Sequence, residues 1–282
     1  MSRRTGPSFV GILGWPLEHT LSPAIHAAAF RRTGLDWIYL VWPVAPEALG
    51  RAVDGLRALG ARGANVTMPH KETVIEYLDD LSGDAEAVGA VNTIQELGGR
   101  LIGHNTDVDG LREFLLGDVG FTGDGRSAAV LGAGGAARAA VKALDDLGVT
   151  AIAVYARDPE RAEGLKRVSA KVSVHPWGDA SRAAARVDVV VNATPLGTGG
   201  EGAPLEADDF RAGQVVVDLV YDPPHTPLVQ AAKAGGADAW GGVGMLVHQG
   251  AAAFRIWTGQ DPPLDAMSAA AIHALGGRHL RR

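Results

Sequence analysis

The chain has 282 residues, 46% of them hydrophobic, which is enough for about two ordinary domains with buried cores. Its formal net charge of −6 is not concentrated in blocks, so neither a nucleic acid nor an anionic membrane surface is expected as a partner. The absence of cysteine excludes disulfides, thiolate nucleophiles and sulfur-ligated metal centres, and the nine histidines show no metal-ligand spacing, so no metal is expected.

The N-terminal stretch carries Arg3 and Arg4, but no apolar run of signal-peptide length follows them. No uninterrupted apolar segment of the chain is long enough to span a bilayer. A chain without cysteine also suits a reducing compartment. We therefore expect a cytoplasmic protein whose partner is a small molecule.

The first part of the chain alternates short apolar runs with amphipathic stretches. The apolar runs over residues 9–13, 37–44 and 64–68 are predicted to form strands. Residues 23–33 and 46–59 have the apolar spacing of helices. This alternation predicts an α/β architecture.

A domain crossing is expected after a predicted helix over residues 107–116. The segment 117–127 holds four glycines and has no apolar periodicity. We therefore predict a first domain over residues 1–116 and a second over residues 117–243. Residues 244–282 are helical in pattern and are expected to pack back on the first domain.

The second domain begins a new series of apolar runs that are almost free of polar breaks. They cover residues 128–131, 151–155, 172–174, 187–191 and 215–220. Parallel strands covered by helices on both faces have this character, whereas half-exposed strands alternate. The second domain is therefore predicted to be a Rossmann-like, doubly wound parallel sheet.

The first of these runs leads into a glycine-rich turn, Gly132–Ala137, which satisfies G-x-G-x-x-G/A between a strand and a helix. Gly132 permits the tight turn, and Gly134 lets a pyrophosphate approach the backbone N–H groups at the helix start. The motif predicts a dinucleotide site. A turn that binds nothing, a flavin site and an adenosyl-methionine site remain alternatives.

Lysine and asparagine are rare in this chain and fall near predicted strand ends. There are 21 arginines but five lysines, and Lys71 follows the strand over residues 64–68. Three of the four asparagines, Asn65, Asn92 and Asn105, lie in the first domain. Taken singly, such residues are usually a solvated lysine and turn-capping asparagines. Their concentration in one domain favours a polar site.

These residue types suit the reduction of a ketone. Hydride transfer makes an alkoxide that must take up a proton, and an ammonium group beside a carboxylate can supply it. Lys71 and Asp107 are the candidate pair. A polyhydroxylated ring could be oriented by Asn65, Thr67, Asn92 and Asn105.

The residues after the second strand of the nucleotide domain bear on cofactor choice. An NAD site carries an acid there to accept the ribose hydroxyls, whereas an arginine pairs with the 2′-phosphate of NADP. Arg157 is the first polar residue, and Arg161 follows one helical turn later. These cations favour NADP. Asp158 favours NAD, and an exposed helix start without a cofactor role is a further alternative.

Nine motifs follow one another along the chain. They are GWPLEHTLSP (14–23), NVTMPHK (65–71), GAVNT (89–93), NTDVDG (105–110), GAGGA (132–136), NATPLG (192–197), DLVY (218–221), TPL (226–228) and GVGMLVHQ (242–249). This set resembles the shikimate dehydrogenase family, which includes shikimate/quinate dehydrogenases, over essentially the whole chain. The resemblance implies a substrate domain followed by an NADP-binding domain. It also implies reversible NADP-dependent reduction of 3-dehydroshikimate to shikimate in aromatic amino-acid (chorismate) biosynthesis.

The resemblance also implies a role for each matching residue. The catalytic pair is Lys71 and Asp107. The substrate carboxylate is assigned to Thr20, Ser22 and Tyr221, and the ring hydroxyls to Asn65, Thr67, Asn92 and Gln249. The cofactor is assigned to Gly132, Ala133, Gly134, Gly135, Ala136, Arg157, Arg161, Thr194 and Gly242. The family usually has serine in place of Thr20, so substrate preference stays open, and an ST-turn with helix capping is the alternative role of Ser22.

Other functions remain to be weighed. A quinate/shikimate or aminoshikimate dehydrogenase that uses NAD would share most of these motifs. A catalytically silent regulator could sense a dinucleotide with the same fold, but it would be expected to lack Lys71 or Asp107. A hydrolase or kinase is disfavoured, since neither G-x-S-x-G nor G-x-x-x-x-G-K-[ST] occurs. A monomer and a homodimer are both compatible with the sequence.

Overall fold

The computed structural model describes residues 6–17 and 20–279. Residues 1–5 and 280–282, at the ends of the predicted first domain and C-terminal tail, lie outside the described residues. Residues 18–19, in the middle of the first motif, lie outside them as well.

The chain forms two compact units. The first contains Met1–Thr106 together with Val247–Arg282, and the second contains Asp107–Leu246. The second unit is therefore a continuous insertion into the first.

The strands are numbered β1–β12 in chain order. Those of the first unit, β1–β6, are Ser8–Gly14, Trp37–Pro43, Gly63–Val66, Asp80–Leu81, Thr93–Leu97 and Arg100–His104. Those of the second, β7–β12, are Ser127–Leu131, Ala151–Ala156, Val172–Pro176, Val189–Asn192, Val215–Asp218 and Asp238–Trp240.

The α-helices are numbered α1–α10. The first five are Ser22–Thr33, Leu49–Leu59, Gly83–Val88, Thr106–Glu113 and Gly135–Asp146. The others are Pro159–Ala162, Ala180–Ala184, Pro227–Ala234, Val243–Thr258 and Leu264–His279. None of these helices, within the part of the chain that the structure describes, is long and apolar enough to cross a membrane.

The first unit is built on a mixed sheet with the strand order β2-β1-β3-β5-β6-β4. β5 runs antiparallel to both of its neighbours, and the other pairs are parallel. Helix α10 packs against α1, and the indole N–H of Trp257 on α9 donates to the carbonyl of Ile94 on β5 over 2.9 Å. The C-terminal residues thus contribute to the core of this unit.

The second unit is built on a fully parallel sheet with the strand order β9-β8-β7-β10-β11-β12. Counted from β7, this is the order 3-2-1-4-5-6 of dinucleotide-binding sheets, in which ligands bind where the order reverses. The reversal lies between β7 and β10. Their buried apolar side chains, such as Val130 and Val190, account for the unbroken apolar runs.

The predicted limit of the first domain, residue 116, falls later than the observed division. Helix α4 continues as a π-helix over Phe114–Val119. The ring of Phe114 packs edge-on against Trp240 of β12, with centroids 6.1 Å apart, so this segment belongs to the second unit. Apolar periodicity predicts such a helix but not which core it joins.

The predicted α/β class and Rossmann-like second sheet are confirmed. The antiparallel hairpin β5–β6 in the first sheet was not predicted from the sequence. Its strands carry mixed polar and apolar residues without clear alternation, which weakens the strand signal. The turn between them, Gly98–Gly99, has positive φ at both residues, and a Gly-Gly pair is a known hairpin signal.

Candidate substrate and cofactor sites

The loop after β1 brings two predicted substrate residues together. Ser22 is the first residue of α1 and is buried, with 7% of its surface exposed. Its backbone N–H donates to Oγ1 of Thr20 over 3.2 Å, which forms an ST-turn. No described side chain caps α1, so the alternative role of Ser22 as a helix cap is wrong. Two hydroxyl groups therefore lie at one turn, an arrangement that suits a carboxylate.

Tyr39 on β2 contacts two of the predicted site residues, although it was not itself predicted from the sequence. Its hydroxyl donates to Oδ1 of Asn65 over 2.7 Å and also hydrogen-bonds with the Ser22 side chain. Burial raises the pKa of Tyr39 well above its usual value, while the bond with Ser22 acts against the shift. Tyr39 thus connects the predicted carboxylate residue to a predicted ring-binding residue.

A buried histidine supports Tyr39 from one side. The His26 ring stacks on the Tyr39 ring, with centroids 4.6 Å apart and planes 4° from parallel. His26 is fully buried, and neither ring nitrogen has a hydrogen-bond partner among the described residues. Burial lowers the pKa of His26 to about 3, so the ring is neutral at physiological pH.

Asn65, at the centre of β3, has its amide largely occupied by protein groups. Besides accepting from Tyr39, it donates through Nδ2 to the Asn92 carbonyl over 3.3 Å and to Oγ1 of Thr93 over 3.0 Å. An amide oxygen has two lone pairs, so Oδ1 keeps one acceptor position. Asn65 is therefore suited to accept a hydrogen bond from a substrate hydroxyl.

Asn92 links the strand β5 to the start of α4. Its Oδ1 accepts from the backbone N–H of Thr106 over 2.7 Å and from the Thr106 hydroxyl over 3.1 Å. The Thr93 hydroxyl lies 3.1 Å from the Thr106 hydroxyl, and both threonines are fully buried. These two threonines were not predicted, because a buried Thr in a strand or at a helix start usually has only a structural role.

Lys71 is half-buried in the segment after β3. Its carbonyl accepts from the backbone N–H of Val91 over 2.7 Å. Asn105 donates through Nδ2 to the carbonyl of Ala90 over 2.9 Å. The segment 90–92 therefore holds both the backbone of Lys71 and the residues that directly precede Asp107.

Thr67 lies at the end of β3, where its N–H donates to the carbonyl of Leu13 over 2.9 Å. Its methyl group lies so close to Gly14 that a Cβ added there would be 2.4 Å from it. Glycine is therefore required at residue 14, at the end of β1, so that Thr67, directly after β3, can approach it.

The remaining predicted substrate residues lie on separate elements. Asp107 is in the first turn of α4, with 7% of its surface exposed. Tyr221 is half-buried in the loop after β11, and Gln249 is half-buried on α9. Asp107 and Tyr221 belong to the second unit, whereas Lys71 and Gln249 belong to the first.

The predicted phosphate turn fits a pyrophosphate. Gly132 has φ +111°, and its N–H donates to the carbonyl of Tyr155 over 2.8 Å. Gly134 precedes α5 in an extended conformation, and no described side chain caps this helix. A Cβ built on Gly134 or Gly135 would meet no described atom within 4 Å. The turn thus offers backbone N–H donors beside open space, as a dinucleotide pyrophosphate requires.

The residues expected to select the cofactor lie at the end of β8. Arg157 and Arg161 are both exposed. Asp158 is the N-cap of α6, since its Oδ1 accepts from the backbone N–H of Arg161 over 3.0 Å. A carboxylate engaged as a cap is less available for a ribose hydroxyl, so the geometry favours the two cations over the acid.

Two further predicted cofactor residues lie in loops of the second unit. Thr194 follows β10, and its N–H and hydroxyl both donate to Oδ1 of Asn192, over 3.0 and 2.7 Å. Gly242 is buried, and a Cβ there would lie 2.4 Å from the carbonyl oxygen of Leu219. Gly242 therefore allows two backbone segments to approach closely.

Within residues 6–17 and 20–279, no three acidic or histidine side chains come together in a way that could hold a metal ion. The Rossmann-like sheet with its open glycine turn, and the polar cluster around Asn65 and Asn92, define a two-domain, dinucleotide-dependent oxidoreductase.

Family models give this class a more precise identity. The model for the shikimate dehydrogenase substrate binding domain matches residues 12–94, and the shikimate / quinate 5-dehydrogenase model matches residues 120–198. The shikimate 5′-dehydrogenase C-terminal domain matches residues 242–272. The chain belongs to the shikimate dehydrogenase family.

Relatives and solved structures agree with these matches. The shikimate dehydrogenase (NADP(+)) of Methanothermobacter thermautotrophicus is 44% identical over 93% of this chain and 95% of its own length. The structure of shikimate 5-dehydrogenase from Thermus thermophilus with NADP(H) and shikimate is 39% identical, with a TM-score of 0.87 over 95% of this chain and 100% of its own. A quinate dehydrogenase from Corynebacterium glutamicum, in complex with NAD, is 30% identical, with a TM-score of 0.88 over 95% of this chain and 99% of its own.

Proposed function

We propose that the protein catalyses the reversible, NADP-dependent reduction of 3-dehydroshikimate to shikimate, a step of aromatic amino-acid biosynthesis. The observation that carries the proposal is that a member of the family has Lys71 and Asp107 in the matching motifs, with polar contacts of the segment 90–92 to the backbone at Lys71 and at Thr106. Relatives at 44% identity that are named as NADP(+) shikimate dehydrogenases support it.

The catalytic step needs one proton on the substrate. When bound, NADPH supplies the hydride that reaches the ketone carbon. The ammonium group of Lys71 gives a proton to the ketone oxygen as its negative charge develops, and Asp107 keeps that ammonium oriented. In the reverse direction, neutral Lys71 accepts the proton of the shikimate hydroxyl.

The other site residues position the substrate. We assign the carboxylate to the hydroxyls of Thr20 and Ser22 at the turn before α1, and to Tyr221. The ring hydroxyls are assigned to Asn65, Thr67, Asn92 and Gln249. Asn65 accepts through the remaining lone pair of its Oδ1, because both of its amide hydrogens are donated within the protein.

NADP is the proposed cofactor. The glycine turn over residues 132–136 receives the pyrophosphate, with Thr194 and Gly242 in adjoining loops. Arg157 and Arg161 carry the positive charge that a 2′-phosphate requires, and the engagement of Asp158 as a helix cap supports this choice.

A quinate or aminoshikimate dehydrogenase that uses NAD is the second candidate. It is favoured by Thr20, where serine is usual, because the added methyl alters the space around the carboxylate, and by the likeness to the NAD-bound quinate dehydrogenase. The composition supports a cytoplasmic protein without a nucleic-acid partner, and it is compatible with a monomer or a homodimer.

One assay distinguishes these functions. The absorbance of the reduced cofactor is followed in both directions. Consumption of NADPH or NADH is measured with 3-dehydroshikimate, and formation of NADPH or NADH from NADP or NAD is measured with shikimate and with quinate. We expect the highest kcat/KM with NADPH and 3-dehydroshikimate. Higher efficiency with quinate and NAD would establish the second candidate. A folded protein that binds dinucleotide without turnover of any of these substrates would instead be a regulator.

A further inference from the structure

Asp218, the last residue of β11, is a fully buried carboxylate in the second unit. Its Oδ1 accepts from Nδ2 of Asn192 over 2.8 Å and from the N–H of Val220 over 3.1 Å. Its Oδ2 accepts from the hydroxyl of Thr226 over 2.6 Å. Burial raises the pKa of this carboxyl, while these hydrogen bonds act against the shift. A buried acid is costly even when its oxygens are satisfied, so its presence calls for a role beyond packing.

Asp218 determines which way the Asn192 amide points. Because Oδ1 of Asp218 accepts from the backbone N–H of Val220, it presents an acceptor to Asn192 and holds the amide nitrogen of Asn192 toward itself. The Asn192 oxygen then faces Thr194, from which it accepts two hydrogen bonds. A reversed amide would place oxygen against oxygen at Asp218 and an NH₂ group against the Thr194 N–H.

The Asn192 amide in turn organises the loop 193–197. Besides holding Thr194, it donates through Nδ2 to the carbonyl of Leu196 over 3.3 Å. This loop follows β10, beside the point where the strand order reverses. It also lies against the phosphate turn, since a Cβ on Gly132 would be 3.0 Å from the Ala193 carbonyl oxygen and 3.2 Å from Cγ2 of Thr194.

We propose that Asp218 is a positioning residue of the dinucleotide site, which acts through Asn192 to hold the loop 193–197 against the glycine turn. The inference rests on the proposed function, since Thr194 and Gly132 are proposed cofactor residues. A hydrogen bond to Thr226 also anchors the far side of Asp218, where the Thr226 hydroxyl caps α8 by accepting from Val229 over 3.2 Å. One hydrogen-bond partner of the carboxylate, Asn192, therefore contacts the loop 193–197, and the other, Thr226, caps α8.

These two partners give a matched pair of variants. Asp218→Leu keeps the branching and the number of side-chain heavy atoms but removes the acceptor that orients Asn192. Thr226→Val keeps the shape of Thr226 but removes the other hydrogen bond and the helix cap. Dissociation constants for NADPH are measured by fluorescence on the enzyme without substrate, beside thermal unfolding and the KM for shikimate.

We expect Asp218→Leu to weaken NADPH binding roughly tenfold or more, with a KM for shikimate within about twofold of wild type. Thr226→Val should lower the melting temperature but leave NADPH affinity within about twofold. In an Asn192→Leu background, which breaks the same link, Asp218→Leu should cause little further loss of affinity.

Three outcomes would overturn the inference. The first is unchanged NADPH affinity in a folded Asp218→Leu protein, and the second is equal loss of affinity in Thr226→Val. The third is an additive loss in the double variant, which would mean that Asp218 does not act through Asn192. Failure of the wild-type protein to bind NADPH or NADH would overturn the proposed function, and the inference with it. If Asp218→Leu does not fold, Asn192→Leu alone tests the same link, and unchanged NADPH affinity in that folded variant would overturn the inference.

Discussion

The side-chain oxygen of Asn92 holds both the backbone N–H and the hydroxyl of Thr106, over 2.7 and 3.1 Å. Thr106 directly precedes Asp107, so this amide fixes the start of the helix that carries the proposed catalytic carboxylate. The residue before Asn92, Val91, donates its backbone N–H to the carbonyl of Lys71 over 2.7 Å. Val91 therefore holds the backbone of Lys71, and Asn92 holds the backbone of Thr106, next to Asp107.

Removal of either member of that pair should abolish most of the turnover. We expect Lys71→Ala and Asp107→Asn each to lower kcat by about a hundredfold or more, since each disables the same proton transfer, while NADPH affinity changes little. The double variant should be little worse than either single one. Steady-state kinetics and NADPH titration provide the measurements. Lys166→Ala, at an exposed lysine paired with Glu163, is the control, and near-normal turnover in Lys71→Ala would refute the assignment.

Tyr39→Phe should raise the KM for shikimate several-fold and lower kcat less. The variant keeps the ring that stacks on His26 but loses the hydroxyl that joins Ser22 to Asn65. Loss of this buried hydrogen bond should also lower the free energy of unfolding by about 1 kcal/mol. Kinetics are compared with those of Ser22→Ala, which should share the effect on KM. An unchanged KM in Tyr39→Phe would show that the hydroxyl has only a structural role.

Cofactor preference should depend on Arg157 more than on Asp158. We expect wild type to favour NADPH, and Arg157→Ala to lower the ratio of kcat/KM for NADPH over NADH by roughly tenfold or more. Asp158→Thr should raise that ratio, since it removes a negative charge while threonine can still cap α6. Asp158→Ala removes both the charge and the cap, so its comparison with Asp158→Thr separates the two effects. A wild-type preference for NADH that Asp158→Thr reverses would contradict the assignment.

The folded protein should lose stability on mild acidification because of His26. Burial lowers its pKa from 6.5 to about 3, so the unfolded chain binds a proton below pH 6.5 that the folded protein does not. The contribution of neutral His26 to the free energy of unfolding is fully present above pH 6.5 and is lost as the pH falls toward 3. The free energy of unfolding should fall by about 2 kcal/mol between pH 6.5 and 5. Urea unfolding at these two pH values measures it.

His26→Phe should remove that pH dependence while it keeps an aromatic ring against Tyr39. His273→Gln, at an exposed histidine on α10, should retain the full slope. A slope in His26→Phe equal to that of wild type would mean that another group titrates in this range.

The apolar runs and the glycine turn were sufficient to predict β1–β3 and β7–β11, but not β5, which begins directly after Asn92. Buried parallel strands such as β7, β10 and β11 are apolar except for one polar residue at an end, and the turn after β7 has positive φ at Gly132. Both signals are local, which is why the sequence shows them.

The cross-strand partners could not be predicted from the sequence. Tyr39 lies in an apolar strand, where a tyrosine is usually core, and its bond to Asn65 depends on the arrangement of β1–β3. Asp218 was noted only as part of a motif, and its link to Asn192 arises because β10 and β11 are adjacent, with these two residues in register. Register between strands is a tertiary property that a single sequence does not display.

The insertion of the second unit into the first also constrains the order in which the protein can form. The first unit needs the last part of the chain, since Phe254 lies in its core against Phe30 and Trp257 donates to Ile94 of β5. During synthesis, the second unit is complete once Leu246 has left the ribosome, whereas β1–β6 still lack α10 and most of α9. A chain stopped at that point would contain a whole nucleotide domain next to an unfinished one with an exposed apolar core.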